Sequence, residues 1–419
     1  MRPDYRPCMA STSFAPLRHR SFRFALVSSF VSSSGTWMQS VAMGVYLQVT
    51  THNAVWLGIL TLAAWMPSAI ASPVGGALAD RMSRERIIQI SNGVMALCAT
   101  TLAVLYLTGH LQPIQAVLIA IVEGFAGAAS WASWQSLLRD LVDTDEVLAA
   151  VSLSSAQFNL GRIIGPMLAG VVMGFGSAGW CFAINAGTFY FVVLIYGFVK
   201  SRPRQLAAPV GHLFDQIRHG AKTAMAVRGT RSPILSIAVI AFILSPFISF
   251  VPTMAIEVFH AGEVGTSSLV TAQGVGAVLG AILLPALAAR TSRLKVLEGS
   301  LIVMIVGLAG YAVSPTLSVA VVVMVVVGAA YIGTLTGLNS VVQIHAPGGE
   351  RSRILSLYTM SLSVAYPLGA FSQSFFVHRF GLRPVTLIST GLMVCVYLAV
   401  RAGAPRFISV MGDTPTPSA

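Results

Sequence analysis

Two charges stand where the rest of the sequence is apolar. Glu123 lies in "AVLIAIVEGFAGAASWASW" and Arg162 in "SSAQFNLGRIIGPMLAG". A charge at membrane depth marks a functional candidate, because it is expensive to keep there. Glu123 is 16 residues from Arg139, about 24 Å along a helix. Arg162 falls at a similar depth on the next, antiparallel segment. Burial disfavours a carboxylate and a nearby guanidinium favours it. That competition would let Glu123 take up and release a proton as water or substrate arrives. A structural ion pair between Glu123 and Arg162 fits the same residues.

The face that carries Glu123 continues through Gly127, Trp131 and Trp134, and Arg162 shares a face with Ser155, Asn159 and Pro166. Further upstream, Ser32, Ser33, Ser34, Thr36 and Gln39 form a polar patch beside Trp37. Aromatic and mildly polar side chains of this kind suit a bulky amphiphile. Packing or interfacial anchoring accounts for the same aromatics.

Long apolar segments must position these residues. Of 419 residues, 55% are hydrophobic and only 10% charged, and the mean hydropathy is +0.78. Soluble domains are nearer a quarter charged. Twelve membrane spans are expected, over 22–50, 54–79, 86–108, 112–138, 149–174, 178–199, 233–257, 265–289, 294–313, 316–344, 353–378 and 382–402. Of 26 Lys and Arg, 23 fall at or beside the segments on one side, two (Arg379 and Arg383) on the other, and Arg162 within a span. This asymmetry is the positive-inside rule. It places both termini in the cytoplasm and explains the net charge of +12 by topology, without nucleic acid. Residues 1–21 are polar and Arg-rich with no cleavage site after a short apolar core, so the first span is expected to be retained.

The expected organisation is a cytoplasmic tail (1–21), a six-helix bundle (22–200), a cytoplasmic linker (201–232), a second six-helix bundle (233–402) and a tail (403–419). Helical spacing of Leu213, Phe214, Ile217, Ala221, Ala224 and Met225 predicts an amphipathic helix in the linker. Pro166 and Pro367 lie 201 residues apart after similar Ser/Leu-rich starts, as in a transporter built from two repeats. Prolines inside spans suit helices that bend. Cys8, Cys98, Cys181 and Cys395 show neither metal spacing nor pairing logic. No metal cluster and no phosphate-binding Gly-Lys loop is present, so no cofactor and no enzymatic activity are expected.

"GGALADRMSRERII" interrupts two apolar runs with a dense charge cluster. Gly75 and Gly76 permit close helix approach. Asp80 can cap a neighbouring helix. The arginines can bridge to Asp140, Asp143, Asp145 or Glu146. Such a cluster would latch the inner helix ends, unless it is an ordinary basic loop.

"GALADRMSRER" resembles motif A of the major facilitator superfamily, with Gly76, Leu78, Asp80, Arg81 and Arg84 on its positions and Ser83 where many members have glycine. "GRIIGPMLAG" looks like motif C, with Gly161, Gly165, Pro166 and Gly170. The motif B arginine would fall near Ala120 and is absent. "FRFALVSSFVSSSGTWMQSVAMGVYL" and "RSRILSLYTMSLSVAYPLGA" look like the secretion-effector branch, which includes enterobactin and macrolide exporters. The resemblance implies an all-helical, two-bundle fold in which spans 1, 4, 7 and 10 line a cavity. Trp37, Gln39, Trp131, Trp134, Phe247, Phe250, Tyr331 and Asn339 are then cavity candidates, with Asn159 beside them. It also implies that span 5 packs on span 8, where Gly276 and Gly280 offer a small-residue face.

These readings lead to a monomeric inner-membrane exporter of small amphiphiles, drugs or siderophores, in a lipid bilayer and driven by proton antiport. An importer, a lipid-moving facilitator and a non-transporting scaffold or sensor are the alternatives. Asp80→Asn is expected to reduce transport in vesicles more than it reduces the amount of inserted protein. Normal transport by the variant would count against a latch.

Overall fold

The computed structural model describes residues 14–79, 82–201, 224–347 and 351–412, which are nearly all helical, with no strand among them. The first half contains α1 (Arg20–Thr51), α2 (Val55–Ala79), α3 (Arg84–Leu107), α4 (Pro113–Leu137), α5 (Val147–Phe175) and α6 (Ala178–Tyr196). The second contains α7 (Arg228–Ile243), α8 (Gly262–Arg290), α9 (Arg293–Val313), α10 (Leu317–His345), α11 (Arg351–Phe380), α12 (Leu382–Gly403) and the short α13 (Pro405–Ser409). Asp80 and Arg81 lie outside the described residues, as does the linker helix expected over 213–225 apart from Ala224 and Met225.

Local chemistry sets the ends. Pro113 opens α4 inside a reciprocal cap between Gln112 and Gln115, satisfying donors that a helix start leaves orphaned. Ser292 and Thr316 cap α9 and α10 by accepting from Lys295 N and Val319 N. Gly381 makes the turn between α11 and α12 at φ 81°, a conformation that penalises a Cβ.

Among the described residues, nine helices are long and apolar enough to cross a membrane. Two of the other three long segments depart for physical reasons. α1 is rich in Ser, Thr and Gln, and buries Ser28, Ser34, Gln39 and Gln48 in the protein interior rather than facing lipid. In α2, the stretch Val55–Ser68 is an apolar helix. The segment expected as one continuous span, 233–257, is broken. α7 stops at Ile243 and the chain continues as a 3-10 turn (Ser245–Ile248), one α turn (Val251–Thr253) and a π-helical turn (Met254–Val258). Pro246 and Pro252 lack the N–H that a regular helix needs at those positions.

The packing repeats itself. α2 lies on α4 and α3 on α4 and α6; correspondingly, α8 lies on α10 and α9 on α10 and α12. α1 packs on α5 as α7 packs on α11. Between the halves, α2 meets α11 and α5 meets α8, contacts that exchange when each helix number advances by six. Small residues permit the closest approaches. A Cβ on Gly165 would lie 2.6 Å from Ser34 O and Trp37 Cβ, and one on Gly161 would lie 2.9 Å from Ser33 Cβ. Gly276 and Gly280, which the family resemblance set against α5, instead meet Val325 and Ala329 of α10. The α5–α8 seam uses Gly170 against Ser267 and Gly274 against Ile163.

The halves meet on the side away from the start of α1. There Gln48 Nε2 donates to Glu257 Oε1 (3.1 Å), His52 Nδ1 lies 3.1 Å from the same oxygen, and Thr253 Oγ1 donates to Gln48 Oε1 (2.8 Å). Deeper in, Thr61 Oγ1 donates to Ser249 Oγ (2.9 Å), which lies 2.8 Å from the Tyr366 hydroxyl. On the opposite, terminal side, no hydrogen bond joins the halves among the described residues, and Leu148 and Leu287 are exposed. Among the described residues, the polar contacts between the halves therefore lie on the far side.

Gly165→Ala is expected to lower the unfolding temperature in detergent, at a cost of about 1–3 kcal/mol from overpacking against α1. Gly93→Ala, with nothing within 4 Å of the new Cβ, is the control and should leave the temperature unchanged or raise it. Equal behaviour of the two variants would contradict the tight α1–α5 seam.

Candidate functional site

Glu123 sits on α4 facing α1. Gln39 Nε2 donates to both of its oxygens, at 2.9 and 2.8 Å. Gln39 Oε1 in turn accepts from Asn185 Nδ2 of α6 at 2.8 Å. Thr188 Oγ1 continues the chain, donating to Asn185 O at 2.8 Å and Oδ1 at 3.0 Å. Gln39 and Asn185 are buried, Asn185 completely. One polar relay therefore ties three helices together at membrane depth. Because Gln39 engages partners through both ends of its amide, its orientation is set by the network. Protonating Glu123 would convert one acceptor oxygen into a donor facing Nε2, weakening the grip of α1 on α4.

Arg162 does not pair with Glu123. It makes no hydrogen bond or ion pair among the described residues, and its guanidinium carbon lies 5.5 Å from the centre of the Trp37 ring. Phe158 stands edge-on to Trp37 at 6.3 Å, and Trp131 leans on Phe158 at 5.3 Å. Trp37, Arg162 and Asn159 are half-buried, and Trp131, nearer the terminal end of α4, is exposed.

The remaining cavity candidates divide. Trp134 is buried near the terminal end of the first half and donates through Nε1 to Ser154 Oγ at 3.0 Å. Asn159 donates to Ser155 O of its own helix at 2.9 Å. Phe247 packs edge-on to Tyr331 at 6.1 Å. Phe250 is 1% exposed in the core. Asn339 Oδ1 accepts from Gln343 Nε2 at 2.6 Å. An open groove of about 450 Å³ runs between α7 and α11, lined by Phe242, Val364, Leu368 and mostly apolar neighbours, and it contains neither charge.

At the terminal side, Arg84 Nη1 donates to Ser136 O at 2.7 Å and forms an ion pair with Asp140. The pair lies within the first half and does not bridge the halves. Gly76 and Leu78 fall in the last turns of α2. Glu146, 1% exposed at its side chain, pairs with Arg18 and lies 2.7 Å from His19 Nε2. The hydrogen bond to Glu146, then its charge, raises Arg18 above its ordinary value. His19, Asp143 and Glu146 bring possible ligand atoms within 4.8 Å of one another, but both Glu146 oxygens are already engaged by Arg18 and His19.

Phe158, Asn185, Thr188 and Tyr366 were missed by sequence reasoning. Asn185 had a usable signal, as a lone amide in the apolar run "WCFAINAGTFYF".

Comparison with known proteins agrees with this architecture. The transmembrane secretion effector family matches residues 11–409. A staphyloferrin A transporter of Staphylococcus aureus is 30% identical over 174 residues, covering 41% of this chain and 44% of its own. The enterobactin exporter EntS of Salmonella choleraesuis is 26% identical over 172 residues, covering 41% and 42%. The matched stretch thus spans less than half the length of either relative. Among solved structures, a bacterial homologue of the iron transporter ferroportin in an inward-facing state superimposes with a TM-score of 0.73 at 14% identity, covering 94% of this chain and 99% of that one. The nucleoside transporter NupG gives 0.72 at 15% identity, covering 94% and 100%. Such identities carry the fold alone. The chain belongs to the transmembrane secretion effector family of the major facilitator superfamily, and it is a multi-pass membrane transporter rather than an enzyme.

Proposed function

We propose that this transporter is a proton-coupled antiporter that exports small amphiphilic compounds of the siderophore or drug type across the inner membrane. Twelve helices in two six-helix bundles would rock about a midplane site, with both termini in the cytoplasm and the protein working as a monomer. The observation that carries this reading is Glu123, a carboxylate at membrane depth whose only hydrogen-bond donor among the described residues is Gln39. A carboxylate without a cation partner is free to exchange a proton. Its hydrogen bonds to α1 change with its protonation, so the proton is felt by a helix that contacts both halves. The relatives support export of a siderophore, since one is a staphyloferrin A transporter and another an enterobactin exporter.

In the cycle, a proton from the outer side binds Glu123 and loosens its contact with Gln39. The halves close over the far side and part on the terminal side, the proton leaves to the cytoplasm, and substrate enters. Reversal carries the substrate out. Arg84 and Asp140, with the neighbouring Asp80 cluster, would hold the helix ends through these movements.

Inside-out vesicles with a respiration-driven pH gradient and a fluorescent pH probe test the proposal. Siderophores and amphiphilic drugs should trigger protein-dependent proton release. Glu123→Gln, which keeps the shape but cannot ionise, should abolish it at unchanged protein level. Release that survives Glu123→Gln would remove Glu123 as the proton carrier. Accumulation of substrate by intact cells would point instead to an importer.

A further inference from the structure

Arg162 is placed as if awaiting a partner. It projects from the middle of α5, it is half-buried, and no carboxylate among the described residues reaches it. Glu123, the acid at similar depth, is engaged by Gln39. Beside Arg162, the rings of Trp37 from α1 and Phe158 from α5 meet edge-on and Trp131 from α4 tilts onto Phe158, forming one aromatic wall. Tyr331 and Tyr366 lie within electrostatic range from the other half. A guanidinium over an aromatic ring gains some cation–π attraction, yet its planar fork of donors stays unused. An unpaired charge at such depth is costly unless an anion joins it.

We propose that Arg162 is the docking point for an anionic oxygen, a carboxylate or a phenolate, on an aromatic amphiphile whose body lies along Trp37, Phe158 and Trp131. This rests on the proposed midplane transport site, and it narrows the substrate to anions. A cationic amphiphile would meet Arg162 as a like charge and be disfavoured.

Calorimetric titration of the full-length protein in lipid nanodiscs tests the assignment with 2-naphthoate and its neutral isostere 2-naphthamide. The wild type should bind the anion at least tenfold more tightly than the amide. Arg162→Gln should erase that preference while still binding the amide, and Arg162→Lys should keep part of it. Trp131→Ala should weaken both ligands. Should Arg162→Gln fail to fold, salt provides a second measure in the wild type. Raising chloride should weaken the anion and leave the amide unchanged. Equal affinities, a preference that survives Arg162→Gln, or no naphthoate binding at millimolar concentration would overturn the proposal. No pH gradient enters this measurement. A failed antiport assay with the preference intact would remove the coupling and leave the docking site, and normal antiport without the preference would do the reverse.

Discussion

A polar side chain inside a membrane bundle must find its partner within the protein, and Gln39 answers that demand for two helices at once. Its amide nitrogen serves Glu123 on α4 and its amide oxygen serves Asn185 on α6. The rest of α1 is arranged around this engagement. Gly35 lets α6 approach so closely that a Cβ there would lie 2.6 Å from Thr188 Oγ1. Gly161 and Gly165 of α5 accept the opposite flank of α1. At its far end, Gln48 reaches Glu257 and Thr253 in the second half. One helix therefore joins the acid at the membrane midplane to the seam between the halves.

That seam is one-sided. Its polar contacts cluster on the far side, where the irregular backbone after α7 brings Ser249, Thr253 and Glu257 to α1 and α2. A continuous helix would carry these side chains at fixed angles. The prolines break that constraint and free backbone groups where neighbouring protein can satisfy them. On the terminal side, where the basic residues concentrate, Arg84 and Arg18 are satisfied inside their own half.

Much of this was legible because rise per residue is uniform in a helix. Depth along each span follows from counting, so Glu123 and Arg162 were placed at one level, and the arginines after α2 were set against the acids Asp140, Asp143, Asp145 and Glu146 without choosing among them. Azimuth is harder. Trp37 and Gln39 are two residues apart on α1, about 200° around the helix, and they face different neighbours. Gln39 engages Glu123 and Trp37 engages Arg162, which separates the two charges that spacing invited into an ion pair. For the same reason Gly276 and Gly280 turned out to face α10. Pro246 and Pro252 were visible in the sequence, but a proline signals a disturbance without saying whether the helix kinks or ends. Asn185 shows that the rule used for charges, that an isolated polar group in an apolar run needs a partner, extends to amides.

The central claim is that the halves rock as bodies about a midplane site under control of Glu123. Electron–electron distance measurements on spin-labelled protein test it most directly. One label pair, at Leu148 and Leu287, would span the terminal side, and another, at His110 and Arg379, would span the far side, in a background lacking native cysteines. Between Glu123→Gln and the ionised wild type, the two distances should change in opposite directions, one lengthening as the other shortens. Distances unchanged across both seams, or moving together, would contradict the rocking motion and its link to Glu123.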